Sequence, residues 1–376
     1  MSNEPDPFDG ARPMVVPPAK ADKAAPTRDP LAKWTTLATL GRDWLIEKPR
    51  ELPVLLWTTP EKEKCFLPQG KVGMLVAAGG RGKSQALADL AVAVASGGAW
   101  LGTYPVKAPG RVLLAYGEED LDEAQRRLHR IARAAHLLPD NRGTWANEEA
   151  ADRFDLLLRN LELLPLYGMP AALVDPGAAD VATALAESLI AKLAEPGDPW
   201  SLIILDPGAR FMGADAETDN AAATLFVEVL ERLTESPGEP TVLLAHHMSK
   251  ANLGNEDSNQ GAARGSSALV DGARWVANLA PMPLGSDRDG KAKARAVLRE
   301  RLGEQKGGAI RFLRLHVTKT NYGPRVDPLE LVNWEGSLVP ADEETQTAFA
   351  AACGGTGSSG GGRGSKGKAK RGAWDV

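Results

Sequence analysis

The chain has few cysteines, no long apolar run and no excess of positive charge. Its 376 residues include two cysteines, Cys65 and Cys353, which lie far apart without metal-ligand spacing, so neither a disulfide framework nor a zinc site is expected. No run of about 18 uncharged apolar residues occurs and the first residues lack a signal-peptide pattern, so we expect a cytoplasmic protein with no membrane segment. A net charge of −5 confines any contact with nucleic acid to a local patch or loop.

Composition divides the chain into four parts. Residues 1–35 are rich in proline, alanine and charge, and they are predicted to be disordered. Residues 36–65 carry scattered tryptophan and leucine, which indicates an apolar arm. Residues 66–340 are predicted to form the folded body. Residues 341–376 form a flexible tail rich in glycine and serine, with five basic residues near its end: Arg363, Lys366, Lys368, Lys370 and Arg371.

Short apolar strands alternate with helices in the body. The predicted strands are residues 71–77, 111–116, 201–206 and 241–246, and the predicted helices are residues 83–97, 120–136 and 220–236. This alternation is typical of a three-layer α/β fold with a mostly parallel central sheet. Ligands bind such sheets at the carboxyl ends of the strands, so the chemistry is expected directly after these four strands.

The first strand runs into AAGGRGKS, residues 77–84, which has the form of a phosphate-binding loop that opens a helix. Gly79, Gly80 and Gly82 would let backbone N–H groups surround phosphate oxygens, Lys83 would reach the β- and γ-phosphates of ATP, and Ser84 would bind Mg²⁺. Ala77 stands where a glycine usually opens the loop. The alternative is a glycine-rich turn before a core helix.

Polar residues follow the other three strands. Asp206 ends the third strand and is the expected acidic partner of the Mg²⁺ shell. Glu118 or Glu119, after the second strand, could orient a water for attack on the γ-phosphate, or both could be acids at a helix start. After the fourth strand, His246 and His247 could sense the γ-phosphate or be ordinary loop residues.

The polar loop of residues 251–267 follows, and it is too long for a plain connection. In a ring ATPase it would face the central channel, where Lys250 and Arg264 could contact single-stranded DNA. Glu256 and Asp257 weaken that positive charge.

Several motifs occur in one order: AxxGGxGKS, a GEED segment followed by RRLH, the LD strand end, HHMSK, RGSSALVDGARW (264–275) and VTKTNYG (317–323). Together they resemble the RepA-type hexameric replicative helicases of plasmids, within the RecA/DnaB-like ring ATPases. The resemblance covers residues 66–325. It implies a RecA-like fold, and that family's own loop also lacks the first glycine.

The resemblance implies roles for the residues of the phosphate end. Lys83 and Ser84 would bind phosphate and Mg²⁺, and Asp206 would support the metal. Glu118 matches the catalytic glutamate, with Glu119 as a one-residue alternative, and His247 matches the γ-phosphate sensor.

The resemblance also implies residues that act between subunits. Arg274 matches an arginine finger that would reach the γ-phosphate bound by the neighbouring subunit; Arg264 is the alternative finger, and Arg274 could instead stack on Trp275 or pair with Asp271. Arg127 and Tyr322 match a pair that stacks on the two faces of adenine, although Arg127 could form a surface salt bridge and Tyr322 could be a turn aromatic. Lys319 could also face the phosphates.

The favoured function is an ATP-hydrolysing ring helicase, a homohexamer that acts on single-stranded DNA in replication. In such rings an arm often latches the adjacent subunit, so residues 36–65 are a candidate latch, or they cover an edge of their own sheet. The tail could bind DNA weakly, contact other replication proteins or only aid solubility. A regulatory or loading ATPase without unwinding activity is the alternative. A small-molecule P-loop kinase fits poorly because it has no use for an inter-subunit arginine finger.

Overall fold

The computed structural model of the protein describes residues 30–59, 64–175, 177, 182–213, 219–247, 267–281, 312–334 and 337–341. The chain divides into two compact units, Met1–Glu51 and Leu52–Val376. Within the described residues, no helix is both long enough and apolar enough to cross a membrane.

Residues 30–51 of the first unit contain three short helices: the 3-10 helix η1 (Pro30–Lys33) and the α-helices α1 (Leu37–Leu40) and α2 (Arg42–Ile46). Thr36 caps α1, because its hydroxyl accepts a hydrogen bond from the Thr39 N–H at 3.1 Å. The large apolar side chains between Leu31 and Ile46 are exposed, with Trp34 at 77%. Helices this short bury too little surface to be stable by themselves.

The described part of the second unit contains thirteen strands. They are β1 (Val54–Trp57), β2 (Cys65–Pro68), β3 (Val72–Ala77), β4 (Ala99–Trp100), β5 (Tyr104–Pro105), β6 (Arg111–Tyr116), β7 (Leu161–Pro165), β8 (Trp200–Asp206), β9 (Thr241–His247), β10 (Trp275–Pro281), β11 (Phe312–Thr320), β12 (Leu329–Trp334) and β13 (Ser337–Pro340). Nine of them form one sheet in the order β13-β12-β11-β10-β3-β9-β8-β6-β7.

The helices of this unit connect the strands. They are α3 (Lys83–Ser96), α4 (Leu121–Ala134), α5 (Glu148–Asn160), α6 (Ala184–Leu193), α7 (Gly208–Phe211), α8 (Asn220–Thr234) and α9 (Ser267–Gly272). Polar side chains fix several helix starts. Asp120 accepts from the Glu123 N–H at 2.9 Å, and Thr183 accepts from the Ala186 N–H at 3.2 Å.

Because most neighbouring strands run in the same direction, their carboxyl ends lie along one side of the sheet and their amino ends along the opposite side. The six strands from β10 to β7 are parallel, and β11, β12 and β13 add antiparallel pairs beyond β10. The carboxyl edge is the side of the sheet at which β3, β6, β8 and β9 end. The amino edge is the opposite side, at which β3 and β10 begin. The expected mostly parallel sheet is confirmed.

The core lies on both faces of the sheet because neighbouring strand residues point to opposite sides. Leu202 and Ile204 of β8 pack in the cluster that includes α3, α4 and α5, whereas Ile203 and Leu205 pack in the cluster that includes α6, α8 and α9. The central strands are therefore apolar over most of their length, as expected for parallel strands covered on both faces. The result is the three-layer α/β fold that the sequence predicts.

The start of the folded body differs from the predicted boundary at residue 66, because the second unit begins at Leu52. β1 and β2 pair as an antiparallel hairpin. Leu55 and Leu56 of β1 and Phe66 of β2 are buried in the same core cluster as α3. Residues 52–59 and 64–65 thus belong to the body, and Trp57 is part of β1 rather than of an arm.

Candidate active site

The turn between β3 and α3 is built for a ligand that approaches the backbone closely. Gly80 and Gly82 have φ angles of +68° and +85°, a region that favours glycine. A Cβ atom at Gly79 or Gly80 would meet no other atom within 4 Å, so the space before the loop is open. Since α3 begins at Lys83, its free N–H groups and the positive end of its dipole suit a phosphate.

A pocket of about 500 Å³, which we call the phosphate pocket, lies at the carboxyl edge in front of this loop. It brings together most of the side chains that the sequence assigns to the phosphate end. Its lining residues include Gly80, Gly82, Lys83, Ser84, Glu118, Glu119, Arg127, Asp206 and His247. Four separate strand ends therefore converge on one pocket, as the strand pattern predicts.

Lys83 is a largely buried cation at the base of the pocket, with 6% of its surface exposed. Its Nζ lies 3.4 Å from Nδ1 of His247. Burial lowers the pKa of Lys83, while the carboxylates of Asp206 and Glu118 oppose that effect. Of the two histidines, His247 lines the pocket and His246 is buried.

Asp206 presents an oxygen that suits a metal ion. Burial raises the pKa of Asp206, and a hydrogen bond with Ser84 and the charge of Lys83 act in the opposite direction. Its Oδ2 atom is buried and has no hydrogen-bond partner among the described residues. A buried carboxylate oxygen beside a serine hydroxyl matches the oxygen ligands that Mg²⁺ prefers, so these residues fit that ion.

Glu118 and Glu119 have different surroundings although they are adjacent. Arg127 forms an ion pair with Glu119, with its Nε 3.3 Å from Oε2 and its Nη2 bound to Oε1. Burial raises the pKa of Glu119, and Arg127 lowers it. Glu118 is exposed to the pocket, and no hydrogen bond or ion pair joins it to another residue of the described structure. Glu118 is therefore the carboxylate that is available to a water molecule.

Three residues to which the sequence assigns roles lie at the amino edge instead: Arg274, Lys319 and Tyr322. The Arg274 N–H donates to the Val72 carbonyl at 2.8 Å, and the Asn321 N–H donates to the Arg274 carbonyl at 3.1 Å. Tyr322 follows in the chain, is 39% exposed, and has the Lys71 ammonium 5.6 Å from its ring centroid. Since β3 joins the two edges with six residues, they are roughly 17 Å apart at ~3.3 Å per residue.

Lys319 is already engaged at the amino edge. Its ammonium donates to the carbonyl oxygens of Val270 and Asp271 at 2.8 and 2.9 Å, at the end of α9. Burial lowers its pKa; the Asp271 carboxylate opposes this and the Arg274 guanidinium adds to it. Lys319 does not line the phosphate pocket of its own chain.

The alternatives for Arg274 find no support in the described structure. Trp275 is buried, with its ring 5.7 Å from that of Phe66 and 6.2 Å from that of Trp100. No ion pair between Arg274 and Asp271 occurs among the described residues. The alternative for Arg127, an ion pair, is present with Glu119. Within one chain the structure does not bring Arg127 and Tyr322 together.

The predicted DNA contacts Lys250 and Arg264 lie outside the described residues, as do the loop of residues 251–266 and the tail from residue 342. The pocket also includes residues that the sequence did not single out: Arg81, Gln85, Arg130 and Asn333. Arg130 lies three positions after Arg127 on α4, so helical spacing could have revealed it. Asn333 comes from β12, and no local pattern marks it.

A larger cleft of about 980 Å³ lies along the second half of α4. Its walls include His129, Arg130, Arg133 and Trp145, and Arg130 is shared with the phosphate pocket. It has no glycine-rich turn and none of the carboxylates that surround Lys83. The smaller pocket is therefore the candidate active site.

Residues 43–252 match the AAA_25 family, described as an AAA domain. Two solved structures are similar to part of this chain. One is an ATPase domain, with a TM-score of 0.44 at 14% identity, covering 73% of this chain and 86% of that chain. The other is a DnaB-like replicative helicase, from a study of its interactions with primase, with a TM-score of 0.47 at 14% identity, covering 81% and 67%.

The assignment of the chain depends on the family match, which spans more than half of its 376 residues and includes the glycine-rich loop, Glu118 and Asp206. The geometry of the phosphate pocket agrees with that match. The chain belongs to the AAA_25 family of AAA domains, and it is a P-loop ATPase.

Proposed function

We propose that the protein hydrolyses ATP at sites shared between the subunits of a ring, a hexamer, and uses the energy to move along single-stranded DNA in replication, in the cytoplasm. The observation that carries this proposal is the division of the assigned residues between two edges of one sheet. Lys83, Ser84, Glu118 and Asp206 lie at the carboxyl edge, whereas Arg274 lies roughly 17 Å away at the amino edge. A second copy that places its amino edge against the pocket would complete the site.

At the carboxyl edge each residue has a distinct task. The N–H groups of the loop and Lys83 would bind the phosphates, and Ser84 and Asp206 would hold Mg²⁺. When bound, Mg²⁺ would neutralise negative charge on the phosphate oxygens. Glu118 orients the attacking water and accepts its proton, and His247, beside Lys83, donates a hydrogen bond to the γ-phosphate.

The neighbouring copy supplies the remaining groups. Arg274 approaches the γ-phosphate and stabilises the charge that develops there during transfer to water. Tyr322 of that copy and Arg127 of the first enclose the adenine, with Arg127 held in place by Glu119. This arrangement explains why Arg127 and Tyr322 are far apart within one chain.

The proposed path for DNA is the loop that follows β9, with Lys250 and Arg264 as its cations. β9 ends at the carboxyl edge, so the loop starts beside His247. A change at the γ-phosphate would therefore pass directly to the start of the DNA loop. The tail is a further candidate contact for DNA or for other replication proteins.

The first test is steady-state ATPase activity with and without single-stranded DNA, with light scattering of the same sample. Lys83→Ala serves as the blank, since it removes the phosphate-binding ammonium. We expect hydrolysis that DNA stimulates and a mass of several subunits.

A regulatory or loading ATPase is the second candidate, and the net charge of −5 favours it because an acidic body binds DNA weakly. An ATPase rate that single-stranded DNA does not change, or a monomeric mass, would support this candidate and contradict the translocase.

A further inference from the structure

Arg210 binds the backbone next to Glu118. It lies in α7, the short helix that follows β8 and Asp206. Its Nε donates to the carbonyl oxygen of Gly117 at 3.3 Å, and Gly117 immediately precedes Glu118. Arg210 does not line the phosphate pocket itself.

The peptide at Gly117 is held on both sides by one segment of chain. The Gly117 N–H donates to the Asp206 carbonyl at 2.8 Å, while its carbonyl accepts from Arg210. The proposed water-orienting carboxylate is thus tied through its neighbour to the strand end that carries the proposed metal carboxylate.

Residue 117 has to be glycine for this contact to form. A Cβ atom there would lie 2.7 Å from the Cβ and 3.0 Å from the Cγ of Arg210. Both distances are shorter than an ordinary carbon contact, so any side chain at residue 117 would displace the arginine.

Arg210 also reaches the third neighbouring segment. Its Nη2 lies 3.5 Å from the carbonyl oxygen of Met169, in the loop that follows β7. One guanidinium therefore joins the chain segments that follow β6, β7 and β8 along the carboxyl edge.

We infer that Arg210 is a positioning residue that fixes Glu118 relative to Asp206 and the bound nucleotide. The inference depends on the proposed role of Glu118. The physical reason is that a catalytic carboxylate on a turn is effective only if the backbone beneath it is held, and a shift of about 1 Å can cost roughly 100-fold in rate. Arg210 makes its contacts with carbonyl oxygens, so nucleotide binding should not depend on it.

The test compares Arg210→Met, which keeps much of the apolar stem and loses the donor, with Arg159→Met on the exposed surface of α5 as the matched control. We expect Arg210→Met to lower kcat for ATP about 10- to 100-fold, the range found for residues that orient other functional groups. The Kd for a fluorescent ATP analogue should stay within about twofold of wild type. Arg210→Lys retains a donor and should recover part of kcat.

A double-mutant cycle with Glu118→Gln separates positioning from a general structural effect. If Arg210 acts through Glu118, Arg210→Met should have almost no further effect on the residual rate of Glu118→Gln. A multiplicative loss in the double variant would contradict the inference. So would an unchanged kcat in Arg210→Met, or a loss that appears mainly in nucleotide Kd.

Thermal unfolding of each variant shows whether the fold is intact. If Arg210→Met is unstable, Arg210→Lys and Arg210→Gln answer the same question. Because the glutamine amide could replace the lost donor, Arg210→Ala is measured beside Arg210→Gln. A wild-type kcat in both Arg210→Gln and Arg210→Ala would overturn the inference. Failure of the proposed function looks different, because the wild-type protein itself would then show no hydrolysis that depends on Lys83 and Glu118.

Discussion

The backbone N–H of Arg274 donates to the carbonyl oxygen of Val72 at 2.8 Å. Arg274 therefore lies beside the first residue of β3, the strand that ends at the phosphate-binding loop. The arginine and the loop are thus at opposite ends of one rigid, buried strand. No rotation of the Arg274 side chain, which is about 7 Å long, can span roughly 17 Å. An arginine finger at this position requires a second copy of the chain.

The two adjacent glutamates should behave differently when each is replaced. Glu118→Gln is expected to reduce kcat on the order of 100- to 10,000-fold, because it removes the base while leaving the loop intact. Glu119→Gln should have a smaller effect on kcat and a larger one on nucleotide affinity, because it releases Arg127. Steady-state kinetics and nucleotide binding of the two variants check this prediction, and equal losses of kcat would contradict the assignment.

The buried carboxylate of Asp206 should lower the thermal stability of the ligand-free protein although hydrolysis requires it. Its carboxylate is buried and burial raises its pKa, so the charged form destabilises the ligand-free fold at neutral pH. Asp206→Asn is expected to abolish hydrolysis and to raise the Tm without nucleotide by about 2–4 °C, or ~1 kcal/mol. The difference should shrink at acidic pH, as the wild-type carboxyl becomes protonated in the folded state. A lower Tm in Asp206→Asn at neutral pH would show that the hydrogen bond with Ser84 and the charge of Lys83 outweigh the cost of burial.

Asp89 in α3 gives a second pH dependence, away from the phosphates. Its Oδ1 accepts from the Leu101 N–H at 2.9 Å, and burial raises its pKa to about 7. Between its unfolded value of about 4 and this value, the folded chain binds a proton that the unfolded chain lacks, so the free energy of unfolding falls as pH rises. Asp89→Asn keeps the acceptor and should be about 4 kcal/mol more stable than wild type at pH 8, with little difference near pH 4.

Urea unfolding at several pH values measures this effect, with Asp152→Asn on the exposed surface of α5 as the control. The control should follow the wild-type pH profile. A constant difference between Asp89→Asn and wild type at every pH would mean that the Asp89 carboxyl does not titrate in this range.

Residues 36–65 are the candidate subunit latch; the apolar side chains at their start, such as Trp44, are exposed, and so is Trp34 just before them. Replacing Trp34 and Trp44 together by serine should lower the mass seen by light scattering, because a docked tryptophan contributes a large apolar area to an interface. The Tm of the dissociated variant should stay close to that of wild-type protein diluted until light scattering gives the same molecular mass. Leu158→Ser, at an exposed apolar residue of α5, is the control, and an unchanged mass in the double variant would contradict the latch.

The strands and helices around the phosphate pocket could be predicted because their signals are local. β6 lies at residues 111–116 as predicted, and α3 at residues 83–96 differs by one residue. Apolar runs of strand length, glycine at positions of positive φ and polar residues directly after strands each depend on a few adjacent residues. The same signals predict that Lys83, Ser84 and Asp206 lie together at the ends of the strands, and all three line one pocket.

The remaining features depend on contacts between distant parts of the chain. Hairpin β1–β2 has no strong alternation, and its place in the body follows from Leu55 and Phe66 reaching the core beneath α3. The choice between Glu118 and Glu119 required the position of Arg127, and the contact of Arg210 with Gly117 joins residues 93 positions apart. Neither contact leaves a periodic pattern in the sequence.

The most direct test of the shared site mixes two variants that are each inactive. Lys83→Ala lacks the phosphate-binding lysine and Arg274→Ala lacks the finger. An interface formed by the loop of an Arg274→Ala subunit and the finger of a Lys83→Ala subunit has every required group. Random mixing in equal amounts should restore up to about a quarter of wild-type ATPase activity, since about one interface in four is then complete. Activity that stays at the level of the separate variants, with mixed rings shown to form, would contradict the shared site.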